Sequence, residues 1–327
     1  MMDWTDRHCR YFHRLLTSRA RLYTEMVTTG ALLHGDVARH LDFSADEHPL
    51  ALQLGGSEPL ELAQCARLAQ RWGYYEVNLN CGCPSPRVQR GAFGACLMAE
   101  PALVRDCVAA MRDAVSLPVT VKHRIGIDRH ESYGFVRDFV GTVGDSGCSV
   151  FIVHARNAWL DGLSPKRNRE VPPLRHDTVA QLKADFPRWT FVLNGGLHEP
   201  VQIAHGLARV DGVMLGRAAY HDPWRLIEWE GLAFAREPHP LPSRDAIELQ
   251  MVRYMEQRAA HEGTPWTAIA RHMMGLRLGQ PGARRWRQVW SDHRLRTLAP
   301  GEVMQRAHQA MDRDPQADAV AEAAFVA

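Results

Sequence analysis

Lysine is almost missing from this chain. Of its 39 basic residues only Lys122, Lys166 and Lys183 are lysines, and the rest are arginines. Arginine and lysine differ in size, donor geometry and acidity, so the lysine kept at 122 is a candidate for a position that needs an ammonium. An excess of either charge is also missing. The 39 Lys+Arg stand against 37 Asp+Glu, so the total gives no argument for a polyanionic partner; only local clustering can. No apolar run reaches the roughly 18 residues that a membrane-spanning helix needs. No basic-then-apolar leader opens the chain, and the expectation is a cytoplasmic protein that keeps away from membranes. Seven cysteines, an odd count scattered from 9 to 148, read as free thiols in a reducing compartment. Cys81-Gly82-Cys83 has no second Cys or His pair near it, so no metal site is expected. No Gly-x-Gly-x-x-Gly opens the first helix, which argues against a doubly wound dinucleotide fold.

Between residues 20 and 216 short apolar runs alternate with helix-length segments. The strand candidates are 22–25, 50–54, 76–79, 119–122, 150–153, 190–193 and 212–215, with helices such as 59–71, 102–115, 133–146 and 177–186 between them. Repeated βα units imply parallel strands. Seven strands and a missing eighth point to a (β/α)8 barrel over residues 1–237, its first strand truncated before the helix at about 7–16. Three prolines at 238, 240 and 242 cannot continue a helix and mark a boundary. Residues 243–311 then read as a small all-helical domain. Its first helix carries Ile247, Met251, Tyr254 and Met255 on one face, and Thr264-Pro265 reads as an N-cap followed by proline. An Ala-rich segment, 312–327, is expected to be disordered.

Catalytic groups of a barrel gather at the C-terminal ends of its strands. Here those ends read Gln53-Leu54-Gly55-Gly56, Asn80-Cys81-Gly82-Cys83, Lys122-His123-Arg124, His154-Ala155-Arg156, Asn194-Gly195-Gly196 and Gly216-Arg217-Ala218. The last two are glycine turns at the place where barrels bind phosphate through backbone N–H groups, and Arg217 adds a bidentate charge. The competing reading is that glycines merely end strands. A phosphate site with an amide (Gln53), an ammonium (Lys122) and an imidazole (His154) around it fits flavin mononucleotide, whose reduced form is stabilised by a cation near N1. Asn80 can hold a polar ring by paired hydrogen bonds. A thiol in ordinary surroundings is protonated at neutral pH, so Cys83 can be a general acid unaided and a nucleophile only beside a base or cation. Cys9, Cys65, Cys107 and Cys148 read as packing.

These segments resemble the tRNA-dihydrouridine synthases, type A subfamily. The resemblance runs from Asp3-Trp4-Thr5-Asp6-Arg7 through Thr24–Thr29, Gln53–Gly56, Asn78–Ser85, Gly91–Ala95, Val121–Gly126 and His154–Arg156. It continues through Gly162–Lys166, Asn168–Leu174, Asn194–Gly196 and Gly216–Ala218. It implies a barrel carrying FMN, reduced by NADPH, and a helical C-terminal domain that grips tRNA. Hydride would pass to C6 of a uracil in the D-loop near position 20, and Cys83 would protonate C5 from the opposite face. Asn80 would orient the uracil and Arg156 would face the substrate side. Gln53, Lys122, His154, Asn194, Gly196, Gly216 and Arg217 would hold FMN. Family members also carry an apolar strand and Ala-Pro ahead of the position of Met1, so weakened flavin binding is expected unless a segment lies upstream. No obligate protein partner is implied.

Seven arginines between 271 and 296 stand against one acid, Asp292, and make the tail a candidate RNA surface. Trp286 and Trp290, interleaved with them, either stack on bases or pack the core. Lys166, Arg167 and Arg169 form a second basic cluster. A uracil stacked in a loop must be turned out to meet a flavin. Three alternatives stay open: an FMN barrel dehydrogenase for a free pyrimidine, an aldolase-like barrel with a Lys122 Schiff base, and a tRNA-binding chaperone. Salt-sensitive tRNA binding, a flavin spectrum and Cys83→Ala discriminate them in turn.

Overall fold

A computed structural model describes residues 1–234 and 243–312. The proline cluster at 238–242 and the segment 313–327 lie outside the described residues, and with them the expected domain boundary and disordered tail. Seven strands form: β1 (Leu22–Thr28), β2 (Leu50–Gly55), β3 (Glu76–Cys81), β4 (Val119–Arg124), β5 (Val150–His154), β6 (Thr190–Asn194) and β7 (Gly212–Met214). All neighbours pair in parallel, in the order β1 to β7 without a crossover. With helices between the strands, this is the (β/α)8 barrel architecture with seven strands described. Residues 1–6 form turns ahead of the first helix, and β1 and β7 each lack a second strand neighbour among the described residues.

Parallel strands covered on both faces read as near-continuous apolar runs. Leu50, Leu52, Leu54, Val77, Leu79, Val121, Phe151, Ile152, Val153 and Phe191 are fully buried accordingly. Each such side chain stabilises by about 1.5–3 kcal/mol relative to exposure. The polar interruptions fall on one face: Glu76, Asn78 and Asn80 alternate along β3, and Thr120, Lys122 and Arg124 along β4. Register joins them into rows across the sheet. Gln53, Asn78 and Thr120 share one row, Asn80 and Lys122 the next, and Arg124, His154, Asn194 and Met214 a third. Helix starts are set by Pro59, Pro101 and Pro200 in the first turn and by Ser85 and Ser132 as N-caps.

The chain divides into two compact units. The first holds Met1–Arg10, Arg19–Ala218 and a short stretch from Leu232. The second holds Tyr11–Ser18, Ala219–Gly231 and the described residues from 243 on. The two short segments 11–18 and 219–231, placed in the barrel by sequence, thus pack with the helices. Tyr11 stacks on Tyr254 with ring centroids 4.0 Å apart, and Thr17 and Ser18 donate to Glu230. In that unit the helix Arg244–Glu262 buries Ile247, Met251, Tyr254 and Met255. The next helix is Trp266–Ala270, with Pro265 itself at the N-cap, one residue later than the sequence suggests.

Glu248 is the polar centre of the helical unit. It is fully buried and accepts from Trp286 Nε1 (2.7 Å), Trp290 Nε1 (2.8 Å), His308 Nε2 (2.9 Å) and the Arg277 guanidinium. Asp245 lies beside them, but the Glu248 oxygens are already spent on these donors, so the cluster is an ion-pair hub. Trp286 and Trp290 are therefore core residues, not stacking platforms, and Arg277 leaves the candidate RNA surface. Arg285 is half-buried and donates to the carbonyls of Ala310 and Met311. Arg271, Arg284, Arg287, Arg294 and Arg296 remain exposed, with Arg294 paired to Asp292.

Candidate active site

The loop that leaves β3 is fixed by four hydrogen bonds. Asn80 Oδ1 accepts from the N–H groups of Gly82 and Cys83, both at 3.0 Å. The Cys83 carbonyl accepts from Ala95 N at 2.9 Å, and the Gly82 carbonyl accepts from Arg124 Nε at 3.1 Å. Gly94 makes this approach possible. It has φ +77°, and a Cβ there would meet the Cys83 carbonyl oxygen at 2.6 Å and Val88 Cγ1 at 2.4 Å. Pro84 is buried, Ser85 caps the helix Pro86–Arg90, and Cys83 itself stays partly accessible. Cys81 points the other way into the core, where burial raises its thiol pKa well above the ordinary value.

The amides behave differently from the sequence expectation. Asn80 has no free pair of groups for a ring: its oxygen is spent on the loop and one amide hydrogen on Gln53 Oε1 at 2.9 Å. One hydrogen remains for a ligand. Gln53 likewise donates to Asn78 Oδ1 at 2.9 Å and keeps one amide hydrogen. Asn194 donates to the Met214 carbonyl at 2.8 Å and so ties the ends of β6 and β7 together.

Cations crowd the strand ends. Lys122 is half-buried without a hydrogen bond or ion pair among the described residues, and desolvation, reinforced by Arg124, lowers its pKa to about 8. Cys83 opposes that shift, as it does for Arg124 and Arg169, so three cations lie within electrostatic range of the thiol. His154 is held neutral by burial first and then by Arg124, Lys122, Arg156 and Arg217 around it. Against these charges stands Glu170, which pairs with Arg217 at 3.0 Å. Crowded, partly desolvated cations are costly unless an anion joins them. The glycine turns supply donors as well as space. Gly195 and Gly196 have φ of +110° and +71°, and the N–H groups of Gly195, Gly196 and Gly216 find no protein acceptor among the described residues. A Cβ at Gly195 would meet the His154 ring at 2.6 Å. Such a basin suits a phosphorylated, flat, anionic group.

Arg156 and Arg217 are both partly engaged with the segment 169–172. Arg156 Nη1 donates to the carbonyls of Glu170 and Pro172, and Arg217 Nη2 to that of Arg169. The buried Nε of Arg156 has no hydrogen-bond partner. Two organisers stand in the sequence only as members of motifs, with no role assigned to them. Arg124 gives its other donations to the carbonyls of Asn157 (3.1 Å) and Asn168 (2.9 Å), clipping the thiol loop to the loop after β5. Buried Asn168 braces that loop through the backbone of Trp159 on both sides. The sequence shows Arg124 at the β4 end and within the resembling segment Val121–Gly126, two residues beyond Lys122 on the same face, but assigns it no role.

Comparison with known proteins agrees with this geometry. A family model described as Dihydrouridine synthase (Dus) matches residues 1–312. A tRNA-dihydrouridine(20/20a) synthase of Pseudomonas syringae pv. tomato is 60% identical over 291 residues, 89% of this chain and 86% of the relative. Its namesake in Pseudomonas putida is 56% identical over 309 residues, 94% of this chain and 91% of the relative. A Vibrio cholerae synthase of the same name is 52% identical over 308 residues, 94% of this chain and 93% of the relative. The thiol loop, the cationic basin and these matches together make the chain a member of the dihydrouridine synthase family.

Proposed function

We propose that this protein reduces uridines of the tRNA D-loop, at positions 20 and 20a, to dihydrouridine, using FMN and NADPH. The observation that carries the reading is an accessible thiol on a rigid strand-end loop, within range of Lys122, Arg124 and Arg169. The relatives' names supply the substrate and the positions. FMN fits the residues present. The free N–H groups of Gly195, Gly196 and Gly216, with Arg217, would take its phosphate, and His154, Gln53, Asn194 and the unpartnered Lys122 would lie along its ring.

When bound and reduced by NADPH, FMN supplies a hydride to C6 of the uracil. Cys83 gives its thiol proton to C5, and hydride plus proton saturate the C5=C6 bond. Solvent then reprotonates the thiolate left on Cys83. Asn80 keeps the loop in one geometry and offers its remaining amide hydrogen to the turned-out base. Arg156 serves the substrate side. Exposed Lys166, Arg167 and Arg169, and the exposed arginines of the helical unit, supply phosphate contacts whose strength falls with salt.

The test is complementation. tRNA from cells lacking their own D-loop dihydrouridine is mapped after expression of this chain. Dihydrouridine is expected at 20 and 20a; its absence from every position, with a flavin-loaded protein in hand, would sink the proposal.

A further inference from the structure

A line of polar side chains runs up the inside of the barrel beneath the thiol loop. It begins at Glu76, fully buried, which accepts from the Arg21 guanidinium and from Tyr23 Oη at 3.0 Å. Thr120 Oγ1 donates to Glu76 Oε1 at 2.6 Å, and Asn78 Nδ2 donates to Thr120 Oγ1 at 2.8 Å. Gln53 Nε2 donates to Asn78 Oδ1, and Asn80 Nδ2 to Gln53 Oε1, both at 2.9 Å. Asn80 Oδ1 then receives Gly82 N and Cys83 N. Asn78, Thr120 and Asn80 are buried along with Glu76.

We infer that this line is a one-way relay and that Glu76 and Thr120 are positioning residues for Cys83. Hydroxyls and carboxamides can point either way, since each both donates and accepts. A carboxylate paired with a guanidinium only accepts, and a backbone N–H only donates. With an acceptor at one end and two donors at the other, every group between has one satisfied orientation. The reversed line would turn the Asn80 NH2 toward two N–H groups and leave buried donors facing each other, which costs the desolvation of each. The carboxylate at the base of β3 thereby helps to keep the Asn80 oxygen under the Cys83 amide. The sequence spacing contributes, because 76, 78 and 80 share one face of the strand, and register places Gln53 and Thr120 on either side of Asn78.

The inference rests on the proposed function for its activity arm only. Thr120→Val removes the hydroxyl at constant shape; Thr120→Ser keeps it. The assays are turnover on unmodified tRNA by the flavin-loaded enzyme and alkylation of Cys83 by iodoacetamide in the flavin-free protein, read by mass spectrometry. Loss of one hydrogen bond's orienting effect predicts about a fivefold fall in kcat for Thr120→Val at unchanged KM for tRNA, and labelling faster by a similar factor as the loop loosens. Thr120→Ser should overlay wild type in both. Glu76→Gln, isosteric but able to donate, should move both readouts the same way and serves if Thr120→Val does not fold. Wild-type behaviour of Thr120→Val or of Glu76→Gln in labelling would overturn the relay, as would a Thr120→Ser variant as impaired as the valine. A wild-type protein that makes no dihydrouridine would instead overturn the proposed function, and the labelling arm would still decide the relay.

Discussion

Two thiols stand two residues apart, Cys81 at the end of β3 and Cys83 on the loop that follows, and burial separates their chemistry. Cys81 lies in the core with its pKa raised, whereas Cys83 stays accessible among cations. Cys83→Ala should cost about 10²–10⁴-fold in turnover on tRNA, the usual worth of a positioned general acid, while NADPH still reduces the flavin. Cys81→Ala should retain activity and lose only stability. Lys122 gives a pH prediction. Its lowered pKa of about 8 means that the ligand-free protein loses this charge as pH rises through that value. A bound anion favours the charged form, so FMN affinity should weaken above about pH 8 and be level below it. Titrating FMN into apoprotein between pH 7 and 9 checks this; affinity rising with pH would contradict the placement of the anion near Lys122.

At the scale of elements, all seven strands and the long helices were legible, because parallel strands announce themselves as short apolar runs between helical periods. The strand-end residues were legible for the same reason. What each amide does was not. Asn80, Gln53 and Asn194 looked like ligand groups, but register decides which of their atoms are already spent, and register is a property of pairs of strands. The role of Arg124 was not legible, because its three carbonyl acceptors lie on segments far away in sequence. The thiol loop also depends on a residue outside it. Gly94→Ala adds a Cβ against the Cys83 carbonyl at a positive φ, a backbone strain of about 1–3 kcal/mol before any clash. It should lower turnover and Tm together, measured by tRNA assay and thermal unfolding. An unchanged pair of values would show that the loop is not held from that side.

Across the whole molecule, stability depends on groups remote from catalysis. The helical unit was read as an RNA surface, yet Trp286, Trp290 and Arg277 turned inward because Glu248 needs their donors. Sequence could not reveal that buried carboxylate, since it looks like any polar face of an amphipathic helix. Glu248→Ala should destabilise by about 3–5 kcal/mol, because the buried Nε1 groups of Trp286 and Trp290 lose their acceptor and Arg277 keeps only the more exposed Asp245; denaturant unfolding measures it. Buried histidines set the acid limit. His123 and His13 each have a pKa lowered to about 4, chiefly by burial, and the unfolded chain takes up these protons near 6.5. Their contribution is complete above about 6.5 and is lost as pH falls through about 4, each worth about 3 kcal/mol. Unfolding free energies at pH 7.5, 5.5 and 4.5 should therefore fall in that order.

The most direct test of the account is quantitative mass spectrometry of dihydrouridine in unmodified tRNA incubated with NADPH and flavin-loaded protein. Wild type should convert uridines 20 and 20a, and Cys83→Ala, equally loaded with flavin, should leave them unconverted on the same timescale. Equal conversion by the two proteins would contradict the assignment of Cys83 as the proton donor on which the account rests.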